Sequence, residues 1–219
     1  MEILKNKITL IGDVHGKYDK YIDICSRNQY TIQLGDMGYY YLPLMNKTNE
    51  YKHKFIGGNH EQWDHISTVP HYLGRYGYAQ LNGVSFFFVS GGFSLDYVWR
   101  MKNYYSGNGP QTYFSNEELS HKEGIECLKL YQEIRPDLVL THEAPRCIVG
   151  EITNTDLLRN FGFDPKTFKT STSELFDQML NIHVPKEWFF GHYHTSKTIV
   201  KNGCTFRCLN ELETVVLEK

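Results

Sequence analysis

Lys7-Ile8-Thr9-Leu10-Ile11-Gly12-Asp13-Val14-His15-Gly16 is the stretch whose reading decides the fold. Its first five residues read as a strand, and the strand stops abruptly at Gly12-Asp13. In extended backbone, residues two apart point to the same side, so Asp13 and His15 present a carboxylate and an imidazole together. The same arrangement recurs along the chain. Residues 30–34 are strand-like and end at Gly35-Asp36. Residues 54–56 end at Gly57-Gly58-Asn59-His60-Glu61, residues 138–140 at Thr141-His142, and residues 188–190 at Gly191-His192-Tyr193-His194.

Helices fall between these runs. Residues 18–27 place Tyr21, Ile24 and Cys25 on one face. Ser115-x-x-Glu118 reads as a capping box that opens a helix ending near Arg135-Pro136. Residues 172–182 carry Leu175, Met179 and Ile182 at helical spacing. Asn82-Gly83 marks a hairpin between residues 78–81 and 84–89, and Asn202-Gly203 turns a strand-like tail. Strands alternating with helices, followed by a strand-rich half, predict an α/β protein on two packed sheets.

The 219 residues fit one domain, 1–219. Hydrophobic residues at 41% suffice for one core. A net charge of −2 and a pI near 6.5 exclude a global positive field for nucleic acid, though not a local basic groove. The five cysteines are scattered and odd in number, without a Cys-x-x-Cys pair, which argues against a disulfide scaffold or a zinc-thiolate site. The expectation is a reduced, cytoplasmic protein with no evident obligate protein partner. The apolar run after Met1-Glu2-Ile3-Leu4-Lys5 is too short for a signal-peptide core, and no run approaches the ~20 residues of a membrane helix.

Gathered at one sheet edge, the strand-ending residues give two carboxylates, one amide and four imidazoles, with His60 to spare. This nitrogen-and-oxygen set suits Mn, Fe, Zn, Ni or Co better than calcium or magnesium. A carboxylate bridging two cations roughly 3.5–4 Å apart neutralises them in part, and a water between them is acidified toward hydroxide, a nucleophile that no side chain need supply.

The series Asp-x-His, Gly-Asp, Gly-Asn-His-Glu, His, Gly-His-x-His, in that order from Asp13 to His194, resembles the calcineurin-like metallophosphoesterases. One such block arises readily by chance; five in order, each closing a strand, is specific. The resemblance implies a four-layer αββα sandwich, two central mixed β-sheets flanked by helices, with the active site at the strand C-terminal ends. It also implies two divalent transition-metal ions, Mn favoured. Asp13, His15 and His194 would hold one ion, Asn59, His142 and His192 the other, with Asp36 bridging. His60 would stand outside the ligands and protonate the leaving group.

The match departs from the protein-phosphatase branch. In Gly35-Asp36-Met37-Gly38-Tyr39-Tyr40-Tyr41, Tyr39 replaces the carboxylate that orients the histidine, and Tyr40 replaces a phosphate-binding arginine. Gly57 stands where that branch has its second arginine. The chain is more similar to the small intracellular phosphoesterases of bacteria and phages. Arg100 and Arg146 are the candidates to replace the lost cations, and Tyr39 a candidate to stack on an aromatic substrate group. The expected activity is hydrolysis of phosphate mono- or diesters, with a diester or nucleotide-type substrate favoured, including a nucleic-acid end. Phosphoprotein dephosphorylation is the alternative, and a non-catalytic scaffold on the same fold the rival from another class. Selectivity is expected in the loops 37–51, 91–114 and 143–170, whose shapes periodicity does not give.

Overall fold

The sequence's short apolar strands need cover on both faces, and the computed structural model, which describes residues 6–218, supplies it in layers. Residues 1–5, on which part of the leader reading rests, lie outside the described residues. One sheet has the order β10 (Thr214–Glu218), β1 (Lys7–Ile11), β2 (Thr31–Leu34), β3 (His53–Ile56). β1, β2 and β3 run parallel, and β10 is antiparallel to β1. The second sheet has the order β4 (Tyr76–Leu81), β5 (Val84–Val89), β6 (Leu138–Thr141), β7 (Glu187–Phe190), β9 (Cys204–Cys208), β8 (Lys197–Lys201). Here β5, β6, β7 and β9 are parallel, while β4 and β8 are antiparallel edge strands.

Strand alternation divides the side chains between three cores. Ile8, Leu10, Ile32 and Leu34 meet Phe86, Phe88, Leu138 and Leu140 between the sheets. Their neighbours along the strands face outward. Ile11 and Phe55 pack on Tyr21 and Cys25 of α1 (Tyr18–Arg27) and Leu44 of α2 (Leu42–Lys47). Phe87, Val139, Trp188 and Phe190 pack beneath Cys127 and Tyr131 of α4 (His121–Ile134) and Phe176 and Met179 of α7 (Ser171–Ile182). Full burial of each such side chain contributes about 1.5–3 kcal/mol before chain entropy is counted. The result is the expected αββα sandwich. Three further helices, α3 (Tyr97–Tyr105), α5 (Arg146–Ile152) and α6 (Thr155–Asn160), lie in the two longer loops.

One expectation is corrected. The capping box that opens α4 is not Ser115-x-x-Glu118 but Ser120-x-x-Glu123, the same motif five residues on. Glu118 is engaged elsewhere, its carboxylate accepting from the backbone N–H and hydroxyl of Thr172 at the start of α7. The cysteines are all free, four of them buried. Among the described residues, no helix is long and apolar enough to cross a membrane.

Candidate metal centre

The sheets meet where β1, β2, β3, β6 and β7 end, and the polar residues after those strands converge there. The ring Nδ1 of His142, after β6, donates to the carbonyl of Leu34 in the other sheet at 2.8 Å. The backbone N–H of His192, after β7, donates to the Asp13 carboxylate at 3.0 Å. Asp13, His15, Asp36 and His194 each offer one ligand atom, all within 4.8 Å of one another. His194 Nε2 lies 3.3 Å and His15 Nε2 3.7 Å from Asp13 Oδ2.

A second set abuts the first. Asn59 Oδ1 stands 3.1 Å from His142 Nε2 and 2.9 Å from His192 Nδ1, and the two nitrogens are 3.2 Å apart. Asn59 is oriented for this by its amide nitrogen, which donates to Ser94 Oγ at 3.1 Å. Asp36 touches both sets: Oδ1 is 3.2 Å from His142 Nε2, and Oδ2 is 3.7 Å from His15 Nε2.

The donor chemistry fits a cation. Because His142 Nδ1 donates to a carbonyl, a neutral His142 carries its lone pair on Nε2, facing two acceptors, Asp36 Oδ1 and Asn59 Oδ1. Such a convergence of lone pairs needs positive charge between them. Without a metal that charge is a proton. Burial opposes the imidazolium of His142, but Asp36 and then Asp13 outweigh it and raise its pKa to about 10. His192 is pushed the other way, to about 3, by burial and by charged His142. Burial favours protonated Asp13, yet bonds from His15 and His194 hold it at about 2. Asp36 is likewise held well below the usual carboxylate range, chiefly by His142 against the effect of burial.

The backbone is bent to make the cluster. His15, Asp36, His192 and His194 all have left-handed φ, between 47° and 69°. Such conformations cost non-glycine residues energy and gather at functional sites. Two glycines permit the close approach. A Cβ on Gly58 would fall on Asp36 Oδ1, and a Cβ on Gly191 on Asp13 Oδ1.

His60 stands beside the cluster. Its backbone N–H donates to Asp36 Oδ1 at 2.7 Å, while its Nε2 is 4.0 Å from Asp36 Oδ2. Arg100, on α3 and only 3% exposed, faces that ring, with Nη2 2.6 Å from Nε2. Asp96, one turn earlier, holds the guanidinium at 2.8 Å. The Tyr39 hydroxyl donates to the Thr112 carbonyl at 3.0 Å and lies 3.3 Å from His60 Nδ1. Burial first, and Arg100 after it, hold His60 at about 4 against the pull of Asp36. Tyr39 therefore sits against His60 rather than among the residues that line the adjoining cavity.

Arg146 is not brought to the cluster. It opens α5, is exposed, and lies 3.8 Å from Glu174. Glu61 is fully buried and accepts from Met37 N–H and the Tyr41 hydroxyl, fastening the loop after β2 to the loop after β3. Sequence reasoning missed Ser94, Asp96 and the apolar residues lining the cavity. Only Asp96 left a signal, its four-residue spacing from Arg100, which suits a helical ion pair.

The profile of the calcineurin-like phosphoesterase family matches residues 6–196. Lariat debranching enzymes are similar in sequence: that of Homo sapiens is 28% identical over 155 residues, covering 64% of this chain, and that of Drosophila melanogaster 28% over 191 residues, covering 80%. The chain spans only 27% and 32% of those enzymes' own lengths. A dimetal phosphatase structure from Danio rerio superposes with a TM-score of 0.50 at 13% identity, over 94% of this chain and 87% of that one, a likeness of fold.

Proposed function

The chain belongs to the calcineurin-like phosphoesterase family, whose members are metal-dependent phosphoester hydrolases, and from that membership we propose that it cleaves phosphate diesters at a site for two divalent transition-metal ions within one domain. The observation that carries the two-ion reading is Asp36, which turns one carboxylate oxygen toward His142 and the other toward His15. Asp13, His15 and His194 would hold one ion and Asn59, His142 and His192 the other, with Asp36 shared. When bound, such paired ions supply Lewis acidity toward phosphoryl oxygens and lower the pKa of water at the site.

The remaining work falls to this chain's side chains. Arg100, fixed by Asp96, offers N–H donors to a phosphoryl oxygen, a role that suits its fork. Its move from the His60 ring to substrate frees the Nε2 lone pair, which takes up a proton from solvent and passes it to the departing oxygen. Tyr39 steadies the other side of that ring. A diester is favoured because, among the described residues, no lysine or arginine lines the cavity beside the cluster to pair with a second negative charge. The similarity to lariat debranching enzymes supports the same substrate type, a nucleic-acid phosphodiester. The test is a screen of mono- and diesters after chelation and reloading with Mn, Fe, Zn, Ni or Co. Hydrolysis restored by reloading is expected, and none with any metal would overturn the proposal.

A further inference from the structure

The cluster closes one end of a cavity of about 530 Å³, well within the size of small-molecule sites. Away from the cluster its wall turns apolar: Leu95, Ile152, Leu157, Leu158, Phe161 and Phe168. Phe93 also lines it and backs that wall, its ring 5.9 Å from Phe163 and 6.1 Å from Phe168, which are themselves 5.0 Å apart. Leu157 and Phe161, on and just after α6, stay 44% and 43% exposed. Packing of the fold does not require them there, and apolar side chains grouped at the mouth of a site mark binding.

Two further observations narrow the occupant. Beside the apolar wall the lining also carries polar residues, Thr153, Asn154 and Thr195. An alkyl chain offers such groups no partner, whereas a heteroaromatic ring can meet them with an edge nitrogen or carbonyl. The described lining residues include no lysine or arginine to meet a further negative charge. Resting on the phosphoesterase reading above, we propose that this cavity binds an uncharged heteroaromatic ring of the ester, a nucleobase carrying a single phosphate, and rejects polyphosphate groups on that side.

The experiment compares kcat/KM of the Mn-loaded full chain for three p-nitrophenyl diesters: those of thymidine monophosphate, methyl phosphate and hexyl phosphate. The thymidine ester is expected to exceed the methyl ester by about tenfold or more, as stacking of one base on aromatic side chains implies. Phe161→Ala and Leu157→Glu, both at exposed positions, are each expected to cut that ratio by about threefold or more. Cleavage of the methyl ester with a thymidine advantage under about twofold, or a hexyl ester better than thymidine, overturns the inference. Failure to cleave any of the three sinks the phosphoesterase reading instead. The cavity is then judged by titrating thymidine into the protein and following amide resonances: shifts at Phe93 and Phe168 support it, and unmoved resonances overturn it.

Discussion

Arg100 Nη2 stands 2.6 Å from His60 Nε2, and a guanidinium has no lone pair to offer. The nitrogen must therefore accept, which puts the ring proton on Nδ1, toward the Tyr39 hydroxyl. Arg100→Gln should lower kcat/KM by about a hundredfold, the scale for losing one preorganised donor to a charged oxygen. Arg100→Lys should recover only part of that, since an ammonium lacks the fork. Thermal unfolding is measured alongside, because Asp96 loses its partner in the glutamine variant. A kcat/KM within about twofold of the parent, with the fold intact, would make Arg100 a structural bridge only.

Stoichiometry separates His60 from the ligands. Elemental analysis of reloaded protein should find two ions per chain in the parent and in His60→Gln. Asp36→Asn, which weakens the shared carboxylate, should fall below that and lose activity with it. Loss of an ion from His60→Gln would show that histidine to be a ligand.

Monoesters bring a second negative charge to a cavity whose described lining residues include no lysine or arginine. With Mn, bis(p-nitrophenyl) phosphate should be cleaved at least as efficiently as p-nitrophenyl phosphate, judged by kcat/KM, and phosphoserine peptides poorly. A tenfold preference for the monoester, about 1.4 kcal/mol in transition-state binding, would contradict this.

His53, at the start of β3, is 7% exposed, bonds the Thr31 hydroxyl at 3.1 Å, and is pushed by burial down to about 4. Its ordinary pKa is near 6.5, so between those values the unfolded chain binds the proton that the folded chain refuses. Stability should therefore be present in full above pH ~6.5 and fall as the pH drops toward 4, by up to about 3 kcal/mol from this residue. Urea unfolding of the parent and of His53→Gln should diverge in that window. Parallel pH profiles would disprove the assignment.

What the sequence made legible follows from the range of each signal. The residues that converge at the cluster could be read because each closes a strand within its own short block, and α1 because ten residues carry nearly three turns of periodicity. The start of α4 was misread because two S-x-x-E motifs lie five residues apart, and only the contact between Glu118 and Thr172 removes the first from contention. Helices α2, α5 and α6, of six or seven residues, are too short to show a period. The convergence of Phe93 with Phe163 and Phe168 leaves no local trace, since it joins residues about 70 positions apart through the tertiary fold alone. Arg100 was identifiable as a candidate cation, but its burial against His60 was not.

Gly58 and Gly191 carry no functional group, yet hydrogen atoms at their Cα positions are what leave room for Asp36 and Asp13. A saturation-mutagenesis map scored on metal retention should therefore register these two positions as intolerant as the ligands themselves, alanine included. Part of the site's specification is thus written as forbidden substitutions. A search for such centres by their histidines and aspartates alone would accept many chains whose backbone cannot close around an ion.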